Sequence, residues 1–202
     1  MKIAKKFMTL ALAAALGVGC AAVGVSAAGS RTNAITVSAE QAGIYEVAQK
    51  IEETEGFADL KAELPAVADA FTKVNEGKME VSEFADVLKT LAEETTDETV
   101  KAAIEELVEK LDGKEFVTGF DEFKVLDLDK AEKNADGKYE VEIAVPSITD
   151  TMKNVQLVTY SKEDAKKWQI VDPISVDKEN KTLEVALDDG AFFTVVLSLI
   201  HI

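Results

Sequence analysis

Glu98-Thr99-Val100-Lys101-Ala102-Ala103-Ile104-Glu105-Glu106-Leu107-Val108-Glu109-Lys110-Leu111-Asp112-Gly113-Lys114-Glu115-Phe116-Val117-Thr118-Gly119-Phe120-Asp121-Glu122-Phe123-Lys124-Val125 is where the chain changes its hydrophobic period. Before Gly113, Val100, Ile104, Leu107, Val108 and Leu111 recur at helical spacing. After Gly113, apolar residues alternate with polar ones, the period of a half-buried strand. Glycine is a natural helix stop. The reading is therefore α+β: a small helical bundle on the N-terminal side of Gly113 and an antiparallel sandwich on the other.

Working back from Gly113, residues 38–113 form the expected helical domain. Thr95 with Glu98 forms a capping box for the last helix. Phe84, Val87, Leu88 and Leu91 mark the helix before it. Val67, Phe71 and Val74 lie between Pro65 and Gly77, with Pro65 expected to break the pattern near Leu64 and open a new helix at its first turn. Ser38 with Gln41 forms another capping box, and Ile44, Val47, Ala48 and Ile51 fall on one helical face. Four short amphipathic helices with brief connections predict a bundle.

Working forward, residues 114–196 read as short strands. Phe116 to Leu128 alternates; Asp136-Gly137 is a hairpin-type turn; Tyr139 to Val145 alternates apolar and acidic residues and ends at Pro146. Val155–Tyr160, Trp168–Val171, Ile174–Val176, Thr182–Leu187 and Ala191–Val196 follow with turn residues between. This spacing predicts an antiparallel β-sandwich near the size of one immunoglobulin-like domain.

The two ends have a different character. Lys2, Lys5 and Lys6 precede an uncharged stretch from Phe7 to Val25, and Val25-Ser26-Ala27 supplies small residues at its exit. These are the three parts of a secretory signal, so residues 1–27 are expected to be removed after Ala27. Cys20 is read as an ordinary residue of the apolar stretch, because a lipidated cysteine wants a large aliphatic residue where Gly17 stands. Residues 28–37 are read as a flexible leader. At the other end, Leu197-Ser198-Leu199-Ile200-His201-Ile202 is what a transposon mosaic end used in sequencing libraries encodes. Residues 197–202 are read as adapter read-through, and the native chain is expected to continue beyond Val196.

Composition narrows function. Loss of Lys2, Lys5 and Lys6 leaves 19 of the 22 basic residues against 38 acids, a net charge of −19. Such a surface repels nucleic-acid phosphates and anionic lipid headgroups, so neither nucleic acid nor membrane insertion after signal cleavage is expected. The expected mature chain has no cysteine, and its one histidine is His201. Thiol nucleophiles, Cys-based zinc sites and a Ser-His-Asp triad are excluded on that reading. No cofactor and no metal are expected.

The remaining candidates are few. Asn75 to Phe84 resembles half of a calcium loop, with Gly77 at the sharp turn and Glu83 at the bidentate position, but Val74 would fall on a ligand position. Around Asn134-Ala135-Asp136-Gly137 the same alignment puts Ile143 where the glutamate should be, so that segment reads as a β-turn. Trp168 and Tyr160 are the candidate ligand-binding residues, either as a sugar-stacking platform or as core. Glu93-Glu94 and Glu105-Glu106 are read as solvated helix faces.

The signal peptide, Asn134-Ala135-Asp136-Gly137-Lys138-Tyr139-Glu140-Val141, Val145-Pro146-Ser147, Val155-Gln156-Leu157-Val158-Thr159-Tyr160, Trp168-Gln169-Ile170-Val171 and Phe192-Phe193-Thr194-Val195-Val196 together resemble secreted and surface proteins of Gram-positive, Clostridia-type bacteria. The resemblance covers the signal and about the last 80 residues. It implies an immunoglobulin-type sandwich, often followed by a spacer and an anchor, and it carries over no functional residues. The expected function is a non-catalytic secreted or cell-surface module for adhesion, surface structure or protein interaction, with an extracellular protein or glycan as partner. Attachment to the cell surface would run through a missing C-terminal segment. The alternatives are a carbohydrate-binding module using Trp168 and Tyr160, and a small glycosidase using a carboxylate pair.

Overall fold

A computed structural model describes residues 35–198. Residues 1–34, with the signal peptide, Cys20 and most of the 28–37 leader, lie outside the described residues, as do Leu199 to Ile202. The described chain is α+β, with four α-helices and two antiparallel sheets. The helices are α1 (Glu55–Glu63), α2 (Pro65–Asn75), α3 (Val81–Glu94) and α4 (Glu98–Leu111). The strands are β1 (Thr36–Val37), β2 (Tyr45–Ala48), β3 (Lys114–Phe116), β4 (Asp121–Val125), β5 (Tyr139–Ala144), β6 (Gln156–Tyr160), β7 (Trp168–Val171), β8 (Ser175–Asp177), β9 (Thr182–Leu187) and β10 (Phe192–Ser198). One sheet runs β1-β5-β9-β8, and the other runs β2-β4-β10-β6-β7 with β3 also paired to β10.

The two sheets face each other, and the helices cover the far face of the larger one. Alternation along its strands shows this directly. Phe192 and Val196 of β10, Val158 and Tyr160 of β6 and Trp168 of β7 join α-helical residues such as Phe71, Phe84, Leu88 and Ile104 in one core. Phe193 and Val195 of β10, Leu157 of β6 and Phe123 of β4 join Val141, Ile143, Leu183 and Val185 of the other sheet in a second core. The larger sheet is thus the middle layer of three, buried on both faces. Successive side chains of a strand point to opposite sides, so Phe192 through Leu197 are buried without a break. Gly113 marks a change of secondary structure, and the core containing the helices continues across it into the sheet.

Several local expectations are corrected. Ile44 to Lys50 is not helical, and Ile51–Glu53 is only a short 3-10 turn: Tyr45–Ala48 is a strand whose Tyr45, Glu46, Val47 and Ala48 pair with Val125, Lys124, Phe123 and Glu122. The stretch that holds this helical spacing also holds the alternation Tyr45-Val47, both buried, and pairing with β4 decides between them. Ser38 and Gln41 do not cap a helix. The Ser38 carbonyl accepts from the Gln41 and Ala42 amides in a turn. The Gln41 side-chain oxygen accepts from the Glu142 amide at 2.8 Å, extending the edge of β5. The helical run begins at Glu55, after Thr54, whose hydroxyl accepts from the Phe57 amide at 3.1 Å. Thr95 is not the cap of α4. Asp97 is, its carboxylate accepting from the Thr99 and Val100 amides, an arrangement worth about 1 kcal/mol. Pro65 does open α2 at its first turn.

The leader does not extend to residue 37, because Ile35 is fully buried and Thr36–Val37 pairs with β5. At the far end, Leu197 and Ser198 continue β10 and pair with Glu115 and Lys114 of β3. Between β3 and β4 the chain leaves the ladder around Thr118, which is fully buried. Its hydroxyl accepts from the Val195 amide at 2.9 Å, and its carbonyl accepts from the Thr194 hydroxyl at 2.9 Å. Both polar residues are satisfied where a bulge would otherwise strand them.

Candidate functional site

Trp168 opens β7 and Tyr160 closes β6, and the two are paired across the ladder. Both belong to the face that looks toward the helices. Their ring centroids lie 4.8 Å apart, and Phe71 and Phe84 close over Trp168 at 6.1 and 6.2 Å. Each of the two residues is 1 % exposed. A stacking platform needs ring faces open to solvent, so the structure removes Trp168 and Tyr160 as ligand-binding residues and places them in the core. Burial also pushes the Tyr160 hydroxyl up to about 12. Trp168 fills the helix–sheet interface rather than the space between the sheets.

A carboxylate pair would need two acids facing each other. The two buried acids among the described residues are Asp121 and Glu122, 5 % and 3 % exposed. They are neighbours on β4, so they point to opposite faces. Asp121 shares the face of Phe123, toward the opposing sheet; Glu122 looks toward the helices. No reacting atom can touch both.

Each acid has its own environment. Burial alone pushes the Asp121 carboxyl up to about 8. Glu122 packs against the first turn of α1: a Cβ added to Gly56 would lie 2.3 Å from Glu122 Oε1. Its Oε2 accepts no hydrogen bond, and the Lys124 ammonium stands 3.6 Å away, near enough for ion pairing and too far to donate. These two residues were missed by sequence reasoning. Their one signal is an Asp-Glu pair between Phe120 and Phe123, informative only once both faces of the strand are known to be covered.

Neither calcium candidate assembles ligands. Gly77 turns the chain with φ of +68°, and the Glu83 carboxylate accepts from the Glu80 amide at 2.9 Å as part of a helix start. Asn134 Oδ1 accepts from the Asp136 and Lys138 amides, closing the turn into β5. Among the described residues there is no group of three His, Cys, Asp or Glu side chains placed to hold a metal ion.

What the molecule presents outward is charge. On the outer face of the four-stranded sheet stand Glu140 and Glu142 of β5, Glu184 of β9 and Asp177 of β8, with Thr36, Ala144, Ser175, Thr182 and Ala186 between them. None of these side chains is basic. Glu142 and Glu184 are directly opposite in register, a like-charge pairing that costs stability. The depression at one end of the sandwich, lined by Ile148, Thr149, Asp150, Lys178, Glu179 and Lys181, has its lysines tied down. Lys178 donates to the Asp150 and Met152 carbonyls, and Lys181 to that of Pro146.

At the far end of β5 a second charged group joins the layers. Lys138 pairs with Asp164 at 3.2 Å and with Asp188 at 3.6 Å. The Asp164 carboxyl is lowered despite desolvation, because the Lys166 amide and the Lys138 ammonium bond to it. No protein-family model, curated protein or solved structure matches the chain.

Proposed function

We propose that the chain is a non-catalytic module, exported and then released or displayed at the cell surface, that acts through its exterior in adhesion, surface structure or protein interaction. The observation that carries this reading is where the chemistry-bearing side chains lie. The large aromatics are spent on two cores, and the two buried acids stand back to back on one strand. The broad surface we assign to recognition is the acidic outer face of the four-stranded sheet. An immunoglobulin-like sandwich, with the helices as a small bundle laid against it, is the finer architecture this role suggests. Support comes from the two antiparallel sheets and the shared core. The export signal at residues 1–27 supports an extracellular location. Among the described residues no helix is long and apolar enough to cross a membrane.

Expression of the full chain in a Gram-positive host tests both halves of the reading. The secreted or surface fraction should hold a protein whose first residue is Ala28. A photo-crosslinking residue in place of Glu142 should form adducts with an extracellular protein or glycan, and one in place of Glu105 on α4 should not. Retention in the cytoplasm, or turnover in a screen of glycans and peptides, contradicts it.

A further inference from the structure

The six-stranded sheet is joined across a narrow seam. β4 meets β10 in two register pairs, Glu122 with Phe192 and Asp121 with Phe193. By contrast, β10 pairs with β6 over five residues and β2 with β4 over four. The β2–β4 ribbon therefore hangs on the rest of the sheet at Asp121 and Glu122. The Phe123 amide adds a bond to the Ala191 carbonyl, and the Gly190 amide adds one to the Phe123 carbonyl, both at 2.9 Å.

Asp121 lies at this seam on the face of β4 turned toward the opposing sheet, 5 % exposed, and its carboxylate keeps a trace of solvent contact with no hydrogen bond or ion pair to it among the described residues. The titratable groups in that core are the phenols Tyr45 of β2 and Tyr139 of β5. On the other face of β4 stand Glu122 and Lys124, and Asp189 at the hairpin tip accepts from the Val125 amide. The packed faces of β9 and β10 contribute Leu183, Val185, Phe193 and Val195. An ionised carboxylate in such a place has lost most of its water and gained no partner.

We propose that this seam is proton-sensitive: the β2–β4 ribbon parts from β10 more readily as Asp121 loses its proton, loosening one edge of the sandwich while β6 stays paired with β10 and β9 with β5. The sign follows from where the proton is held. In the closed seam the Asp121 carboxyl titrates at about 8, and in an opened ribbon it returns to about 4. The closed form is thus fully favoured below about pH 4 and loses its advantage as the pH rises to about 8, after which the dependence levels off.

Amide hydrogen exchange on the full chain tests this. After correction for intrinsic rates, the opening constant at the Phe123 amide should rise several-fold per pH unit between pH 5 and 8, about tenfold being the ceiling for one proton. The Leu157 amide of β6 should show no such slope. Asp121→Asn should flatten the Phe123 profile. A flat profile in the native chain, or an unchanged slope in Asp121→Asn, overturns the proposal. Should that variant fail to fold, the carboxyl ¹³C resonance of Asp121 in the native chain decides: a midpoint at 6 or above supports the proposal and one below 6 overturns it.

Discussion

Gly56, the second residue of α1, has no side chain because Glu122 occupies the space where one would go. Alanine favours a helix over glycine by up to about 1 kcal/mol, yet Gly56→Ala should destabilise the protein, since its Cβ would fall 2.3 Å from Glu122 Oε1. In an Glu122→Ala background the same change should turn stabilising. Urea denaturation of the four chains measures this, and the coupling should exceed about 1 kcal/mol. At the same scale, Trp168→Ala should cost about 3–5 kcal/mol, the usual loss for a large buried aromatic. A loss under about 1 kcal/mol would mean that the ring is not packed as described. The burial of Trp168 was one of two readings open from the sequence, because an alternating strand states which residues share a face and not whether that face is covered. Glu122 and Asp121 were hidden for the same reason: charged residues in a strand read as solvated until a layer is found on each side.

Among the elements, α2 is tied to the sheet by its last residue. The Asn75 side-chain amide donates to the Phe120 carbonyl at 3.0 Å, and its oxygen accepts from the Phe120 amide at 2.5 Å, both bonds buried. Asn75 thereby completes the strand's edge as a neighbouring strand would. Asn75→Leu should leave two buried backbone groups unpaired and cost about 2–4 kcal/mol, with exchange of the Phe120 amide accelerated more than that of Val158. Equal acceleration at both sites would show that the effect is global. Pro65, Gly113 and the strand alternation beyond it were legible because local rules set them. β2 was not. Its residues satisfy a helical spacing as well as an alternating one, and a four-residue strand is chosen by its partner more than 70 residues away in sequence. The same holds for Gln41, which looks like half of a capping box and serves the edge of β5 instead.

At the scale of the whole molecule, the central fact is that one sheet belongs to two cores. The helices bury Val158, Tyr160, Trp168 and Phe192 on one side of it, and the smaller sheet buries Leu157, Phe193 and Val195 on the other. The α+β class and most of the strands were readable from the change of period. The third layer was not, because periodicity names an apolar face without naming its partner. Helices and sandwich should therefore unfold together rather than as two bodies joined at Gly113. Trp168 is the single tryptophan and lies at the helix–sheet interface, so its emission reports on that junction while ellipticity at 222 nm reports chiefly on the helices. Equilibrium unfolding in urea, followed by both signals on the mature chain, should give coincident transitions with one midpoint. Separate transitions, with helical signal surviving after Trp168 has become exposed or lost while it stays buried, would contradict the shared core.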